Sequence, residues 1–276
     1  MVRSRRSAYV HGVIDSAIRL RAPARALARS LSFGAYCAGL LGIYEVHHRQ
    51  LPIEARPRNL EGYQRRLGAA ALRMLGVRLH WLGAIRRAEG PRLVISNHRT
   101  ALDVAVLLSA FGGSLVSRAD VEGWPLVGKL AERGETIYVR RGDRQSGAKT
   151  IRAIRSRFER GGTVLLFPEG TTQAGDRILP FHGGAFAAAR GLEVEVVPVG
   201  LTYDPGIEYV DRTFGQHLFD VTSRPAIRAV ACAGEPAKIR GRASQMAEQY
   251  REIVQDLVHR ARHHHTHLGT GGAAAQ

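Results

Sequence analysis

From residue 92 onward, short apolar runs alternate with longer stretches whose apolar positions recur every three or four residues. Strands are expected over 93–96, 114–117, 136–139, 163–167, 194–201 and 227–232, with helices over 100–111, 125–133, 144–160 and 182–190 between the first five. The run Val164-Leu165-Leu166-Phe167 is apolar at every position rather than at alternate ones, as in a strand covered on both faces. Strand and helix in alternation imply an α/β fold, a largely parallel sheet with helices on both faces. Functional groups then belong in the loops at the carboxyl edge of the strands.

The chain ahead of this region reads differently. Over 60–77, Tyr63, Leu67, Ala70, Met74 and Leu75 fall on or near one side of a helix. Residues 31–44 carry no charge and three glycines, and are shorter than the ~18 to 20 apolar residues that cross a bilayer. A buried core helix is the plain reading of such a length. The arginines at 3, 5, 6, 19, 21, 25 and 29 favour instead an N-terminal helical segment lying in the membrane interface, its guanidinium groups on lipid phosphates at roughly 1 kcal/mol each. No small-residue cleavage site follows, only Glu45, two histidines and Arg49. The expected organisation is a membrane-associating segment over 1–58, an α/β domain over 59–262 and a disordered His/Gly/Ala tail over 263–276. The tail's His263-His264-His265-Thr266-His267 is read as frayed rather than as a metal site.

Charge narrows the partners. With 40 Lys+Arg against 24 Asp+Glu, the formal net charge is +16, which calls for an anionic partner. A nucleic-acid motif is absent and few aromatics interleave with the basic residues, so an anionic membrane surface fits and nucleic acid does not. The alternative of a basic binding module without chemistry rests on the charge alone. Cys37 and Cys232 lie far apart without metal spacing, as two reduced thiols of a cytosol-facing protein do.

Two stretches carry candidate chemistry. In Asn97-His98-Arg99-Thr100-Ala101-Leu102-Asp103 a histidine precedes an aspartate by five residues. A histidine that takes a proton from an alcohol needs a carboxylate behind it to fix its tautomer. Five apart, the two do not share a helix face, but they meet if His98 lies in the turn before the helix and Asp103 in its first turn. The competing reading makes Asp103 part of a capping box. The second stretch, Phe167-Pro168-Glu169-Gly170-Thr171-Thr172, sets a carboxylate in a turn after an apolar strand.

These stretches resemble the first and third of four blocks that the glycerolipid (lysophospholipid) acyltransferases carry in fixed order. Gly134-Glu135-Thr136-Ile137-Tyr138-Val139-Arg140-Arg141 is similar to the second block, with Arg141 at the family arginine, and Val196-Val197-Pro198-Val199 to the fourth. Val116 to Asp120, with Trp124 to Gly128, looks like the connecting segment, and the resemblance covers about residues 70 to 240. Three positions depart from the pattern: Thr172 where an arginine often meets the acceptor phosphate, Arg140 for an acidic or amide residue, and Arg118 for a lysine. A hydroxyl does not replace a guanidinium fork against phosphate. Thr171-Thr172 with Gly175 to Phe181 is similar to the lyso-ornithine lipid acyltransferase branch.

The resemblance implies transfer of a fatty acyl group from acyl-coenzyme A or acyl-carrier protein to the hydroxyl of a lysolipid, at the cytoplasmic face of the membrane. His98 is the expected base, oriented by Asp103. Arg141, Glu169 and Gly170 are expected to hold the acceptor, with Thr171 and Thr172 completing that turn. Pro198 is expected to shape the pocket. The amides that open the helix after His98 are expected to face the oxyanion. No bound cofactor, metal or covalent acyl-enzyme is called for, because the thioester arrives activated.

Overall fold

The computed structural model describes residues 3–124, 126–140 and 144–270. Its centre is a sheet whose apolar strands point alternate residues into two separate cores. Strands run β1 Val77–Leu82, β2 Arg92–Ser96, β3 Ser114–Arg118, β4 Ile137–Val139, β5 Thr163–Leu166, β6 Glu195–Tyr203, β7 Ile227–Ala233 and β8 Ala237–Lys238. Their spatial order is β1-β7-β6-β2-β5-β3-β4, with β8 beside β6. Every pairing is parallel except β6 with β7 and β6 with β8.

The helices are α1 Arg3–Gln50, α2 Arg56–Met74, α3 Leu102–Phe111, α4 Val127–Arg133, α5 Arg144–Glu159, α6 Gly184–Ala188, α7 Phe214–Ser223 and α8 Ala243–Thr270. Val94, Leu165, Val197 and Leu201 join a core with residues of α2, α3 and α7. Leu93, Ile95, Val164 and Val196 point the other way, into a core with α5, α6 and α8. Uniformly apolar strands therefore fill both faces of a layered α/β domain. Two helices come so close that a Cβ would not fit: at Gly200 of β6 it would lie 2.4 Å from the backbone of Leu257 in α8, and at Gly68 of α2 it would lie 2.5 Å from Ser109 in α3.

Four expectations meet a different structure. The amphipathic helix expected over 60–77 ends at Met74, and residues 77–82, of which 78–82 are assigned no element by the sequence pattern, form β1, because Gly76 at φ 76° turns the chain out of α2. Residues 263–270, taken as the start of a disordered tail, continue α8, with His265 buried; 271–276 lie outside the described residues. The segment 31–44 belongs to a continuous helix and is no core helix: Arg21–Gln50 is long and apolar enough to cross a bilayer by length and composition, yet only 11% of its apolar window is buried. The boundary expected at 58/59 falls inside α2.

One stripe of α1 rests on the domain. Arg25 and Arg29 donate to the carbonyls of Ser223, Arg224 and Pro225 at the C-terminus of α7. Phe33 packs on the first core, Cys37 is buried, and Tyr44 meets Tyr63 of α2 edge-on with ring centroids 5.2 Å apart. His47 Nδ1 lies 3.2 Å from the Tyr63 hydroxyl. The opposite stripe leaves Leu27, Leu31, Ile43 and Val46 exposed.

Candidate active site

At the carboxyl end of β2 the chain leaves the sheet through Asn97, whose buried side-chain amide takes the place of a strand residue. Its Nδ2 donates to the Leu201 carbonyl at 3.0 Å and its Oδ1 accepts the Leu201 N–H at 2.7 Å. This anchors the turn 98–101 to β6, and α3 begins directly after it.

Asp103, fully buried in the first turn of α3, gathers that turn around one carboxylate. Its Oδ2 accepts from His98 Nδ1 at 2.8 Å and from the backbone N–H groups of Arg99 and Thr100 at 2.6 and 2.9 Å. Its Oδ1 accepts the buried Tyr203 hydroxyl of β6 at 2.6 Å. Four donors fill the acceptor capacity of an ionised carboxylate. The same oxygen thus holds the His98 ring and gathers two amides of the turn ahead of α3. Because the carboxylate only accepts, His98 carries its proton on Nδ1 and presents Nε2 as the lone-pair nitrogen. The imidazole stacks on Phe167 at the end of β5 (centroids 4.1 Å, interplanar 11°), with the His98 side chain 21% exposed.

The second loop is a turn closed by Gly170 N–H to the Phe167 carbonyl at 3.0 Å, with Pro168 at its first corner, where a fixed φ suits it. Gly170 has φ 69°, and a Cβ there would sit 3.3 Å from His182. Both oxygens of the buried Glu169 are taken by main chain: Oε1 by His98 N–H and Oε2 by Leu179 N–H, each at 2.9 Å. Burial pushes its carboxyl above the ordinary range, against the pull of those two hydrogen bonds. Gln173 N–H returns to the His98 carbonyl at 2.9 Å, so the two loops are laced together.

Thr172 donates its hydroxyl to the Tyr209 carbonyl. The Tyr209 N–H reaches the Arg99 carbonyl at 2.8 Å, and its ring stacks on His217 at 4.8 Å. His217, buried on α7, offers Nε2 to the Thr100 hydroxyl at 3.1 Å and to the Ala101 N–H at 3.3 Å. Burial holds its imidazole below the ordinary range, the Arg212 charge adding to the effect against Asp103 and Asp220.

The Arg99 guanidinium is only 3% exposed and pairs with Asp176 at 2.9 Å and Glu208 at 2.8 Å. Burial alone would raise the Asp176 carboxyl, but Arg262 of α8 and Arg99 outweigh it and hold it below the usual carboxylate range.

Structure and expectation agree that His98, Asp103, Glu169, Gly170 and Thr172 meet at one sheet edge; Thr171 lies in the same turn. Arg141 lies outside the described residues. Its neighbour Arg140 follows β4 and, with Arg118, Ala119, Asp120 and Val139, lines a small cavity at that edge. The expected oxyanion donors need correction: the N–H groups of residues 98 to 101 point at Glu169, Asp103 and His217, and that of Asp103 at the Thr100 carbonyl. Those amides build the turn rather than face a substrate. Sequence reading missed Tyr203, His217 and Arg99 as parts of the site. The one available signal was Arg99 itself, a charge set between a candidate base and an apolar helix. Among the described residues no group of three or more His, Cys, Asp or Glu side chains is arranged to hold a metal.

Comparisons with known proteins match the stretch of chain that carries these loops. The family model for Acyltransferase matches residues 77–202. Lyso-ornithine lipid O-acyltransferase of Pseudomonas aeruginosa is 37% identical over 113 residues, 41% of this chain and 43% of that protein. The enzyme of the same name from Brucella abortus is 33% identical over 154 residues, 51% and 57% of the two chains. A 1-acyl-sn-glycerol-3-phosphate acyltransferase of Neisseria gonorrhoeae is 28% identical over 137 residues, 50% and 54%. The chain spans about half the length of the curated relatives it matches. The crystal structure of the 1-acyl-sn-glycerophosphate acyltransferase PlsC from Thermotoga maritima superimposes with a TM-score of 0.66 over 87% of this chain and 98% of that one; at 18% identity this is a likeness of fold. Strands β1 to β5 and most of β6, with the two laced loops between them, make up the stretch that matches the Acyltransferase family model.

Proposed function

We propose that this chain moves a fatty acyl group from acyl-coenzyme A or acyl-carrier protein to the hydroxyl of a lysolipid, with His98 as general base oriented by Asp103. The observation that carries the reading is the buried Asp103 on His98 Nδ1 at 2.8 Å, which leaves Nε2 as the proton acceptor. The acceptor hydroxyl gives its proton to Nε2 as its oxygen attacks the thioester carbonyl. The tetrahedral intermediate then expels the thiolate, which recovers the proton from the imidazolium. Asp103 stabilises that cation without being protonated itself. Glu169, Gly170, Thr171 and Thr172 shape the loop beside the base, and Arg118 and Arg140 stand at the ends of β3 and β4, two and three strands away; Arg141, next in sequence, is kept as the expected acceptor-holding arginine.

For the acceptor we favour a lyso-ornithine lipid over lysophosphatidic acid. The support is Thr172, whose hydroxyl is already directed at the Tyr209 carbonyl where many relatives carry a guanidinium.

The same reading places the domain on the cytoplasmic face of an anionic membrane, with 1–58 as the associating segment. Contacts from Arg25 to His47 follow α1 for about 33 Å at 1.5 Å per residue, while a bilayer's hydrocarbon core is about 30 Å thick. A helix held against the domain over that length fits a position along the membrane plane, its Leu27, Leu31, Ile43 and Val46 stripe facing lipid. The test of the whole reading is thiol release from an acyl-coenzyme A in the presence of a lysolipid panel; acceptor-dependent release supports it, and none from any acceptor with either donor overturns it.

A further inference from the structure

The histidine run 263–267 lies on helix α8, outside the acyltransferase loops, and folding has given it a geometry the sequence alone does not. His263 and His267 are four residues apart on one exposed face, and their Nε2 atoms are 3.2 Å from each other. Their rings stand at 64° with centroids 4.5 Å apart, so the nitrogens converge while the ring bodies do not stack. Two metal–nitrogen bonds of about 2.0–2.1 Å meeting at a tetrahedral angle put the nitrogens about 3.3–3.4 Å apart; meeting at a right angle, they put them about 2.9 Å apart. The observed separation lies between the two.

We infer that His263 and His267 form a two-histidine surface site for a borderline divalent transition-metal ion such as zinc or nickel, the remaining positions being filled by water. In the metal-free protein one imidazole donates to the other across the same gap. Metal replaces that shared proton, and the donor ring moves the proton to Nδ1, so binding to the neutral pair releases none. Imidazole nitrogen selects zinc, nickel and copper over magnesium and calcium, which prefer oxygen.

The flanking histidines are committed elsewhere. His264 stacks on His80 of β1 at 4.6 Å, and His265 faces Asp204 at 3.3 Å. His259, one turn nearer the N-terminus, has Nε2 3.0 Å from the Gln255 amide. The pair, rather than the whole run, therefore defines the site. Bound metal would clip the last described turns of α8 without touching the loops around His98.

The experiment is calorimetric titration of the full-length, untagged chain, stripped with chelator, using zinc chloride, nickel chloride and magnesium chloride. One saturable equivalent of zinc or nickel and no response to magnesium are expected. His263→Asn and His267→Asn should each weaken binding by at least about 10-fold, since even outer-shell changes cost that much, while His259→Asn should leave it unchanged. All three positions are exposed, and circular dichroism verifies that each variant keeps its helix content. Wild-type affinity in both His263→Asn and His267→Asn, equal weakening by His259→Asn, or no saturable binding overturns the site.

Discussion

The Tyr203 hydroxyl donates to Oδ1 of Asp103 at 2.6 Å while His98 Nδ1 occupies Oδ2 at 2.8 Å, so the phenol and the imidazole hold one buried carboxylate from its two sides. Tyr203 is fully buried, so under the proposed mechanism its part is to position the pair. Tyr203→Phe leaves a buried oxygen short of a donor and should cost about 1–3 kcal/mol of stability. It should also lower kcat more than it changes KM and move the acidic limb of the rate profile to higher pH, since a less satisfied carboxylate favours the imidazolium more strongly. Denaturant unfolding and pH–rate profiles check both; an unchanged profile in a destabilised variant would make the tyrosine purely structural.

His98→Ala should reduce turnover by on the order of 100-fold or more, the scale of a positioned general base. Asp103→Asn should be comparably severe, because an amide cannot accept all the donors that converge on Oδ2, and its NH2 would hold the wrong imidazole tautomer. Thiol release with folded variants measures both, and near-normal turnover of His98→Ala would remove the mechanism.

The buried His217 sets an acid limit on stability. Its folded imidazole titrates below the ordinary 6.5 because burial, and then Arg212, disfavour the cation. The unfolded chain therefore binds the extra proton first as pH falls. Stability is complete above about pH 6.5 and declines below it, by at most about 1.4 kcal/mol per pH unit for this one group. His217→Gln keeps an acceptor for the Ala101 N–H and should flatten the fall of Tm between about pH 6.5 and pH 5.5. An identical slope in wild type and variant would assign the effect elsewhere.

Acceptor choice should turn on residue 172. Wild type is expected to prefer lyso-ornithine lipid, and Thr172→Arg to shift preference toward lysophosphatidic acid, since a guanidinium–phosphate pair is among the stronger charge-assisted contacts. Paired assays of both acceptors with both proteins decide it. Strong wild-type turnover of lysophosphatidic acid alone would mean that the guanidinium comes from another strand.

Membrane binding should depend on the outer stripe of α1. Leu27→Glu with Leu31→Glu changes two exposed side chains and should release the protein from anionic vesicles without unfolding it. Salt should weaken wild-type binding, because exposed charges are screened over about 8–10 Å. Cosedimentation equal to wild type would place the lipid-facing surface elsewhere, with the arginines of α5 as the next candidate.

The central strands were legible because burial on both faces forces runs such as Leu93-Val94-Ile95 to be apolar throughout. β1 was not: Val-Arg-Leu-His-Trp-Leu follows α2 with only Leu75 and Gly76 between, and Val77 extends the helical pattern. Helix α8 was hidden by its charged face, although Ala247, Tyr250, Val254, Leu257 and Ala261 recur at helical spacing and are buried. Within the site, His98 and Asp103 were readable because they are local. Tyr203 lies 100 residues from Asp103 and His217 lies 117 from Thr100, and only folding reveals those hydrogen bonds. The roles of the turn's amides were misread for the same reason: their acceptors come from the loop after β5, from α3 and from α7.

If α1 lies along the membrane plane as proposed, its long contact with the domain changes what concentration means for this protein. A catalyst lying flat meets a lysolipid that diffuses in two dimensions, so turnover should follow the mole fraction of acceptor in the bilayer rather than its amount per volume. Diluting the acceptor with inert lipid at constant bulk concentration then slows the reaction, while adding more vesicles of the same composition does not speed it once all protein is bound. Under the proposed reaction the thioester donor arrives from solution and obeys ordinary volume kinetics, which would give one active site two substrates counted in different dimensions.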